Sequence, residues 1–316
     1  MVSAYIAAAV KAKVTLVEAH KMGGDCLNYG CVPSKALIKT AKLAAQQRHG
    51  ERYGLGATQP HIDFRRIMAR VNDIIAKIEP HDSVARYTEL GVEVLQGYAR
   101  LIDPWTVEIA LNDGGVQRLT SRAIVIAAGA EPVVPPLPGL DAVGYVTSDT
   151  LWESLAESEK PPARLLVLGG GPIGCELSQS FARLGSEVTQ LEMLPRIMMR
   201  DDEDVSAAAA QSLKDDGVKI LTSTKAIRCE RDGEQKRIIV CDEAGSERAI
   251  EFDVLLCAVG RKPRTKGYGL ADIGCDIESL KGNEYLETSY PHILLAGDVV
   301  GPYQFTHMAA HQAWYA

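Results

Sequence analysis

The chain has 316 residues, 46% of them hydrophobic and 24% charged, which is ordinary for a globular protein long enough to hold two domains. A formal net charge of −7 with only 6% aromatic residues argues against nucleic acid as the main partner. No apolar run is long enough to span a membrane, and the opening Val2–Val10 lacks the basic flank and cleavage site of a secretory signal.

In chain order, Ser3–Val10 reads as a helix and Val14–Glu18 as a strand closing on an acid. The string Gly23-Gly24-Asp25-Cys26-Leu27-Asn28-Tyr29-Gly30-Cys31-Val32-Pro33-Ser34-Lys35 follows. Its two cysteines stand one short loop apart. Pro33 suits the first turn of a helix, and Ala36–Ala45 is rich in helix formers. Backbone N–H groups at a helix start, with the Lys35 charge, stabilise a nearby thiolate, the species that attacks disulfides. A cycling dithiol is therefore favoured over a structural disulfide or half of a zinc site. Zinc would need a second close pair of ligands, and Cys175, Cys229, Cys241, Cys257 and Cys275 are scattered singly. Seven cysteines without a signal suit a reducing cytoplasm, where a close pair is more often catalytic than structural.

Asp63 is placed to cap a helix whose Phe64, Ile67, Val71, Ile74 and Ile78 form a core stripe. Three short alternating segments come next: Val92–Ala99, Thr106–Leu111 and Arg118–Thr120. A strand from Ala123 then runs into Ala128 and Gly129. The Pro-rich stretch Glu131–Gly139 and Lys160-Pro161-Pro162 suit linkers.

Arg164–Leu168 reads as a buried strand, followed by Gly169-Gly170-Gly171-Pro172-Ile173-Gly174, a helical run Cys175–Leu184, a strand Glu187–Leu191 and Glu192. Strand, Gly-x-Gly-x-x-Gly, helix, strand and acid together form a dinucleotide-binding pattern. Gly169 permits the tight turn, Gly171 lets the backbone approach a pyrophosphate, and Gly174 lets helix and strand pack closely. The helix start faces the phosphates. Glu192 accepts hydrogen bonds from an adenosine ribose, which favours NAD over NADP. Arg196 and Arg200, a few residues on, keep the NADP alternative open.

The pattern repeats. An offset of 174 residues lays Val188 on Val14 and Glu192 on Glu18, making Glu18 the ribose acid of a first site. The same offset lays Cys175 on Met1, so the chain opens just past the place for a first glycine loop. The segment Ala123–Pro132 parallels Val254–Pro263, where Gly260 and Arg261 follow the strand. Ala226–Cys229, Arg237–Cys241 and Arg248–Phe252 repeat the three alternating segments. The expected fold is α/β, with two Rossmann-like dinucleotide-binding domains, each holding a parallel sheet and an inserted antiparallel meander. Two such folds imply two dinucleotides.

Near the end, Thr288–Asp298 reads as a strand rising to Gly297, with Asp298 at its carboxyl end. This segment and the cysteine string together resemble the FAD-dependent pyridine nucleotide–disulfide oxidoreductases, among them dihydrolipoamide dehydrogenase, glutathione reductase and mercuric reductase. The resemblance covers the whole chain. It implies FAD beside NAD, with Gly23, Gly24, Asp25, Ala128, Gly129 and Thr306 also lining cofactor. It implies that Cys31 contacts the flavin and Cys26 exchanges with substrate. Lys35 is placed near flavin N5 and paired with Glu176, and Asp298 on the ribityl chain. Asp25 stands where the family usually has Thr, and its carboxylate near a diphosphate calls for an offsetting donor. His307 and His311 receive no catalytic role.

The resemblance further implies that the first strand and phosphate loop of the FAD domain, and a C-terminal dimerisation domain, are missing. Expected domains are 1–147 and 267–316 for FAD and 148–266 for NAD. The implied enzyme, of the EC 1.8.1 kind, passes hydride from NAD(P)H to FAD and then electrons through Cys26–Cys31. Its substrate is a small-molecule or protein disulfide, and its full-length form is a homodimer. The alternatives are mercuric reductase-like metal reduction and a non-catalytic NAD-binding fragment. A chain without the loop is expected to bind FAD poorly.

Overall fold

Short apolar runs bounded by glycine or charge form parallel strands in this protein, and alternating runs form antiparallel ones. The computed structural model describes residues 1–275 and 283–316. The chain divides into two units by packing. The first comprises Met1–Cys26, Ala76–Glu131 and Arg261–Ala316; the second comprises Leu27–Ile75 and Pro132–Gly260.

The second unit is built on a five-stranded sheet in the order Lys219–Leu221, Glu187–Leu191, Arg164–Leu168, Val254–Cys257, Val146–Thr147. Every neighbouring pair is parallel. The central strand is covered on both faces, which is why it reads as an unbroken apolar run rather than an alternating one. On one face lies the helix Pro172–Arg183, with Leu177 and Phe181 buried. The helix Cys31–Arg48 adds Ala36, Leu37, Ala41 and Ala44 to the same cluster, and the helix Phe64–Ile78 adds Phe64, Met68 and Val71. The Phe64 and Phe181 rings sit 6.1 Å apart in a tilted pair. Burying each such side chain contributes about 1.5–3 kcal/mol. Asp63 caps the Phe64–Ile78 helix by accepting the Arg66 N–H at 3.1 Å.

The other face is covered by an antiparallel meander, Lys225–Asp232, Gln235–Cys241 and Glu247–Phe252. Ile238, Val240 and Phe252 bury against Leu166, Leu168 and Leu255.

The first unit repeats this plan in two sheet pieces. Val14–Glu18 runs parallel to the start of Val92–Asp103, which continues antiparallel to Thr106–Leu111; Val116–Thr120 completes the meander. One long strand thus serves both the parallel pair and the meander, extending past the Ala99 end expected from sequence. Gly97 marks the change of partner. A Cβ there would lie 2.4 Å from the Ala110 carbonyl oxygen, so only glycine permits the approach. The other piece pairs Ile124–Ile126 with Ile293–Leu295, in parallel. Helices Val2–Ala9 and Thr306–Tyr315 meet where Ser3 Oγ donates to the Ala313 carbonyl at 2.7 Å.

The fold is α/β with two Rossmann-like units, each holding parallel strands and an antiparallel meander. Packing divides the chain at 131/132 and 260/261, against expected domain boundaries at 147/148 and 266/267. It also groups residues 27–75 with the second unit. The cause is the apolar face of Cys31–Arg48, which buries its alanines in the cluster that holds Phe181.

Candidate functional site

The glycine loop of the second unit closes on itself through backbone contacts. Gly169 has φ +110, and a Cβ there would meet the Ala258 carbonyl oxygen at 2.3 Å. A Cβ at Gly174 would meet the Gly169 carbonyl oxygen, also at 2.3 Å. Gly171 differs: a Cβ there meets nothing within 4 Å, and its φ of −76 suits any residue. Space is therefore left open at the one glycine where a ligand backbone approach is expected. Pro172 and Ile173 open the helix behind it, Pro172 at a position where its missing N–H costs nothing. The free N–H groups of that first turn carry partial positive charge toward the loop.

Glu192 stands just past the end of the neighbouring strand Glu187–Leu191. Its Oε2 accepts the Gly170 N–H at 2.6 Å and its Oε1 accepts the Leu194 N–H at 2.8 Å. Beneath the loop lies Gln190, fully buried, whose Nε2 donates to the Gly169 carbonyl at 3.0 Å. Sequence reasoning missed Gln190, although an amide inside a buried strand was the available signal. Arg196 donates to the carbonyls of Met198 (3.1 Å) and Met199 (3.2 Å), and Arg200 is exposed. Cys175 is buried under the same loop, where desolvation pushes its thiol up. Gly260 follows the Val254–Cys257 strand at φ +129, its carbonyl accepting the Val133 N–H at 2.9 Å.

Cys31 is the first residue of the helix Cys31–Arg48 and is exposed. One turn on, Lys35 Nζ lies 3.0 and 3.1 Å from the Glu176 carboxylate oxygens. Glu176 sits just behind the glycine loop, so two motifs 141 residues apart meet in one ion pair. The side chains are 61% and 42% exposed, so the pair contributes little to stability, about 0–1 kcal/mol, while fixing where the charge sits.

In the first unit, Glu18 ends the strand Val14–Glu18 and accepts the His20 N–H at 2.8 Å. Glu192 accepts from Leu194 in the same way, so the repeat extends to side-chain detail. Gly23 and Gly24 take φ +94 and +61, leading into the short helix Gly24–Asn28 that carries Asp25 and the half-buried Cys26. Asp25 is held by Arg261, which also donates to the Ala130 carbonyl at 2.9 Å. Arg261 is the offsetting donor that a carboxylate at position 25 requires. Asp298 is half-buried; desolvation pushes its carboxyl up, and the Arg261 charge partly offsets this. Gly297, at φ +82, donates to Gln312 Oε1 at 2.9 Å, and Thr306 opens the following helix. Ala128 is half-buried beside Gly129, which has φ +71 and whose carbonyl accepts the Arg264 N–H at 2.9 Å.

Each unit thus gathers its own share of the expected residues. The second brings together Gly169 to Gly174, Glu192, Lys35 and Glu176. The first brings together Asp25, Arg261 and Asp298. The division falls inside the cysteine motif, immediately after Cys26. Cys175, Cys229, Cys241, Cys257 and Cys275 are free thiols. Burial pushes Cys229 and Cys257 up to about 11 and about 12, which suits packing rather than thiolate chemistry.

The second unit fits a dinucleotide in full: an open approach at Gly171, a helix start and a ribose acid. The first fits the ribose and ribityl end through Glu18 and Asp298. Among the described residues, no Gly-x-Gly-x-x-Gly loop stands beside Glu18. Among them also, no group of three metal-binding side chains occurs, and no helix is long and apolar enough to cross a membrane.

Residues 1–313 match the family model for pyridine nucleotide-disulphide oxidoreductase. The chain is 34% identical over 313 residues to a mercuric reductase of Bacillus cereus, covering 98% of this chain and 48% of that protein. It is 35% identical over 305 residues to a dihydrolipoyl dehydrogenase of Thermus scotoductus, covering 94% and 63%. Among solved structures, the HOCl-induced flavoprotein disulfide reductase RclA from Escherichia coli superposes with TM-score 0.83 at 27% identity, covering 98% of this chain and 66% of that one. LpdA from Mycobacterium tuberculosis superposes with TM-score 0.86 at 24% identity, a likeness of fold. The chain spans about half to two thirds of these relatives' length. The chain belongs to the pyridine nucleotide–disulphide oxidoreductase family.

Proposed function

We propose that this chain carries the electron path of an NADH-dependent flavoprotein disulfide reductase, with Cys26 and Cys31 as its redox-active pair. The observation that carries this reading is the Lys35–Glu176 ion pair, which joins the cysteine helix to the helix of the glycine loop. Bound FAD supplies a two-electron relay between the nicotinamide and the disulfide.

The chain's own residues do the rest. Gly169, Gly171 and Gly174 shape the loop so that backbone N–H groups hold a pyrophosphate, and Pro172 and Ile173 present the helix start behind it. Glu192 exchanges its bond from the Gly170 N–H for bonds from ribose hydroxyls. Its carboxylate repels a 2′-phosphate, and Arg196 is already engaged by two backbone carbonyls, so NADH is preferred to NADPH. In the first unit, Glu18 takes the flavin's ribose and Asp298 its ribityl hydroxyls. Gly23, Gly24, Ala128, Gly129, Gly260, Gly297 and Thr306 keep the backbone close to the two cofactors. Arg261 cancels the Asp25 charge that would otherwise oppose a diphosphate.

Lys35 would set a positive charge near flavin N5, and Glu176 would hold it there. Cys31, at a helix start, faces the flavin, and Cys26 exchanges with the substrate disulfide. The dihydrolipoyl dehydrogenase and mercuric reductase names among the relatives leave two substrate classes, a disulfide–dithiol couple or a thiol-bound mercuric ion. The disulfide couple is the first choice, since the pair itself is chemically matched to it. The full-length protein is expected to be a cytoplasmic homodimer.

The test is to equilibrate the chain in glutathione buffers of graded potential and map disulfides by alkylation and mass spectrometry. One disulfide, Cys26–Cys31, with the other five cysteines alkylated, supports the proposal. A different pairing, or no intramolecular disulfide at any potential, defeats it.

A further inference from the structure

Residues that face the meander in the second unit are apolar along most of each strand. Leu166 and Leu168, Leu191, and Leu221 at the sheet edge pack in one cluster with Ile238, Ile250 and Phe252. Side chains alternate along a strand. Thr189 and Lys219 therefore share this face with Leu191 and Leu221, and Arg248 shares the meander's inward face with Ile250 and Phe252. The ladders set Leu166, Thr189 and Lys219 side by side. Two cations and a hydroxyl thus occupy positions whose neighbours in the pattern are leucine, isoleucine and phenylalanine.

They line a cavity of about 320 Å³ between the sheet and the strand Glu247–Phe252. Leu166 and Ile250 give it an apolar floor and wall, and Glu187, two residues before Thr189 on the same face, stands exposed at its rim. The cavity lies at the start of the strands Arg164–Leu168 and Glu187–Leu191, and the glycine loop lies past their other ends. Arg164 also reaches it, and is matched by Glu251 and Asp253. Among the described residues, the side chains of Lys219, Arg248, Glu187 and Thr189 have neither an ion-pair nor a hydrogen-bond partner. Lys219 and Arg248 are exposed, so the cavity opens to solvent on their side. Thr189 is only 8% exposed, and a buried hydroxyl without a partner is costly.

We propose that this cavity binds a small hydroxy-dicarboxylate, with its two carboxylates on Arg248 and Lys219 and its hydroxyl between Thr189 and Glu187. Two like charges facing one cleft favour an anion between them, and a free guanidinium takes a carboxylate through two parallel N–H bonds. Glu187 offers only acceptors, so the uncharged part of the ligand must bring an O–H donor. The same carboxylate opposes a third negative group on the ligand. Leu166 and Ile250 call for a carbon body, and the volume exceeds what an inorganic oxyanion fills. The site stands on the strand pattern and the cavity alone and not on the proposed function.

The probe is L-malate, titrated by calorimetry into the 316-residue protein at low ionic strength, with and without saturating NADH. The expected result is one saturable site that stays open to malate when NADH is bound. Its affinity should fall at least tenfold in Arg248→Gln and in Lys219→Gln. Both substitutions sit at exposed positions and should leave Tm without malate unchanged, so lost binding is not lost folding. Succinate, which lacks the hydroxyl, and citrate, which adds a third carboxylate, should each bind at least tenfold more weakly than malate. Glu187→Gln should narrow the citrate gap. Absence of saturable malate binding would overturn the proposal, as would displacement of malate by NADH, which would move the anion to the glycine loop. Inorganic phosphate binding as tightly as malate would also overturn it, as would full malate binding by the Lys219→Gln/Arg248→Gln double variant.

Discussion

Alanine at Gly171 separates a ligand role from a structural one. The backbone there, φ −76 and ψ 177, is ordinary for alanine, and the added methyl meets nothing within 4 Å. Alanine is a poorer helix cap than glycine, but it also lowers the entropy of the unfolded chain. These effects oppose one another, so G171A should unfold within about 0.5 kcal/mol of the native protein. The same methyl fills the space left for a pyrophosphate, and NADH affinity should fall at least tenfold, about 1.4 kcal/mol. Gly174→Ala is the contrast. Its methyl would lie 2.3 Å from the Gly169 carbonyl oxygen, so loop and helix must part by about 1 Å. Overpacking of that kind costs about 1–3 kcal/mol, which lowers Tm by about 2–4 °C per kcal/mol in a unit of this size. Titration calorimetry with NADH and thermal unfolding of both variants are the assays. If G171A binds NADH like the native chain, or if it loses as much Tm as G174A, the loop is a structural turn and the ligand reading fails.

Other expectations follow from single residues. Glu192→Gln should weaken NADH and narrow its advantage over NADPH, read by nucleotide titration; an unchanged ratio would move selectivity to Arg200. Asp298 has a raised folded-state pKa, so its protonated form favours folding, and stability is lost as pH rises from 3.8 through the folded value. Asp298→Asn should therefore melt higher than the native chain at pH 7, with the gap closing toward pH 3; a gap that widens on acidification would reverse the assignment. Phe181→Ala empties a fully buried site against Phe64 and should cost about 3–5 kcal/mol in denaturant unfolding.

Much of this architecture was legible in the sequence because its signals are local. Val14–Glu18, Arg164–Leu168 and Glu187–Leu191 end where they were read, since charge or glycine bounds each apolar run. Both meanders were visible through alternation, and the internal repeat aligned the two units. What the sequence concealed is set by partners far along the chain. The Cys31–Arg48 helix opens where Pro33 placed it, but its packing was hidden, since its alanines bury in a cluster that includes Phe181. Asp25 looked unfavourable until Arg261, 236 residues away, was seen to hold it. Gln190 under the loop has no local signature beyond its polarity. The strands Val146–Thr147 and Lys219–Leu221 are too short to show a period and exist through their neighbours in the sheet.

The central claim is that two electrons from NADH reach the Cys26–Cys31 pair through a flavin. The direct measurement starts from the oxidised 316-residue chain with excess FAD under anaerobic conditions. NADH is added, and new thiols are trapped by alkylation and located by mass spectrometry. Each turnover consumes one NADH and one proton and converts one disulfide to two thiols. The account predicts new thiols at Cys26 and Cys31 only, and only when FAD and NADH are both present. Thiols that form equally without FAD, or a Cys26–Cys31 pair that stays oxidised while NADH is consumed, would contradict it.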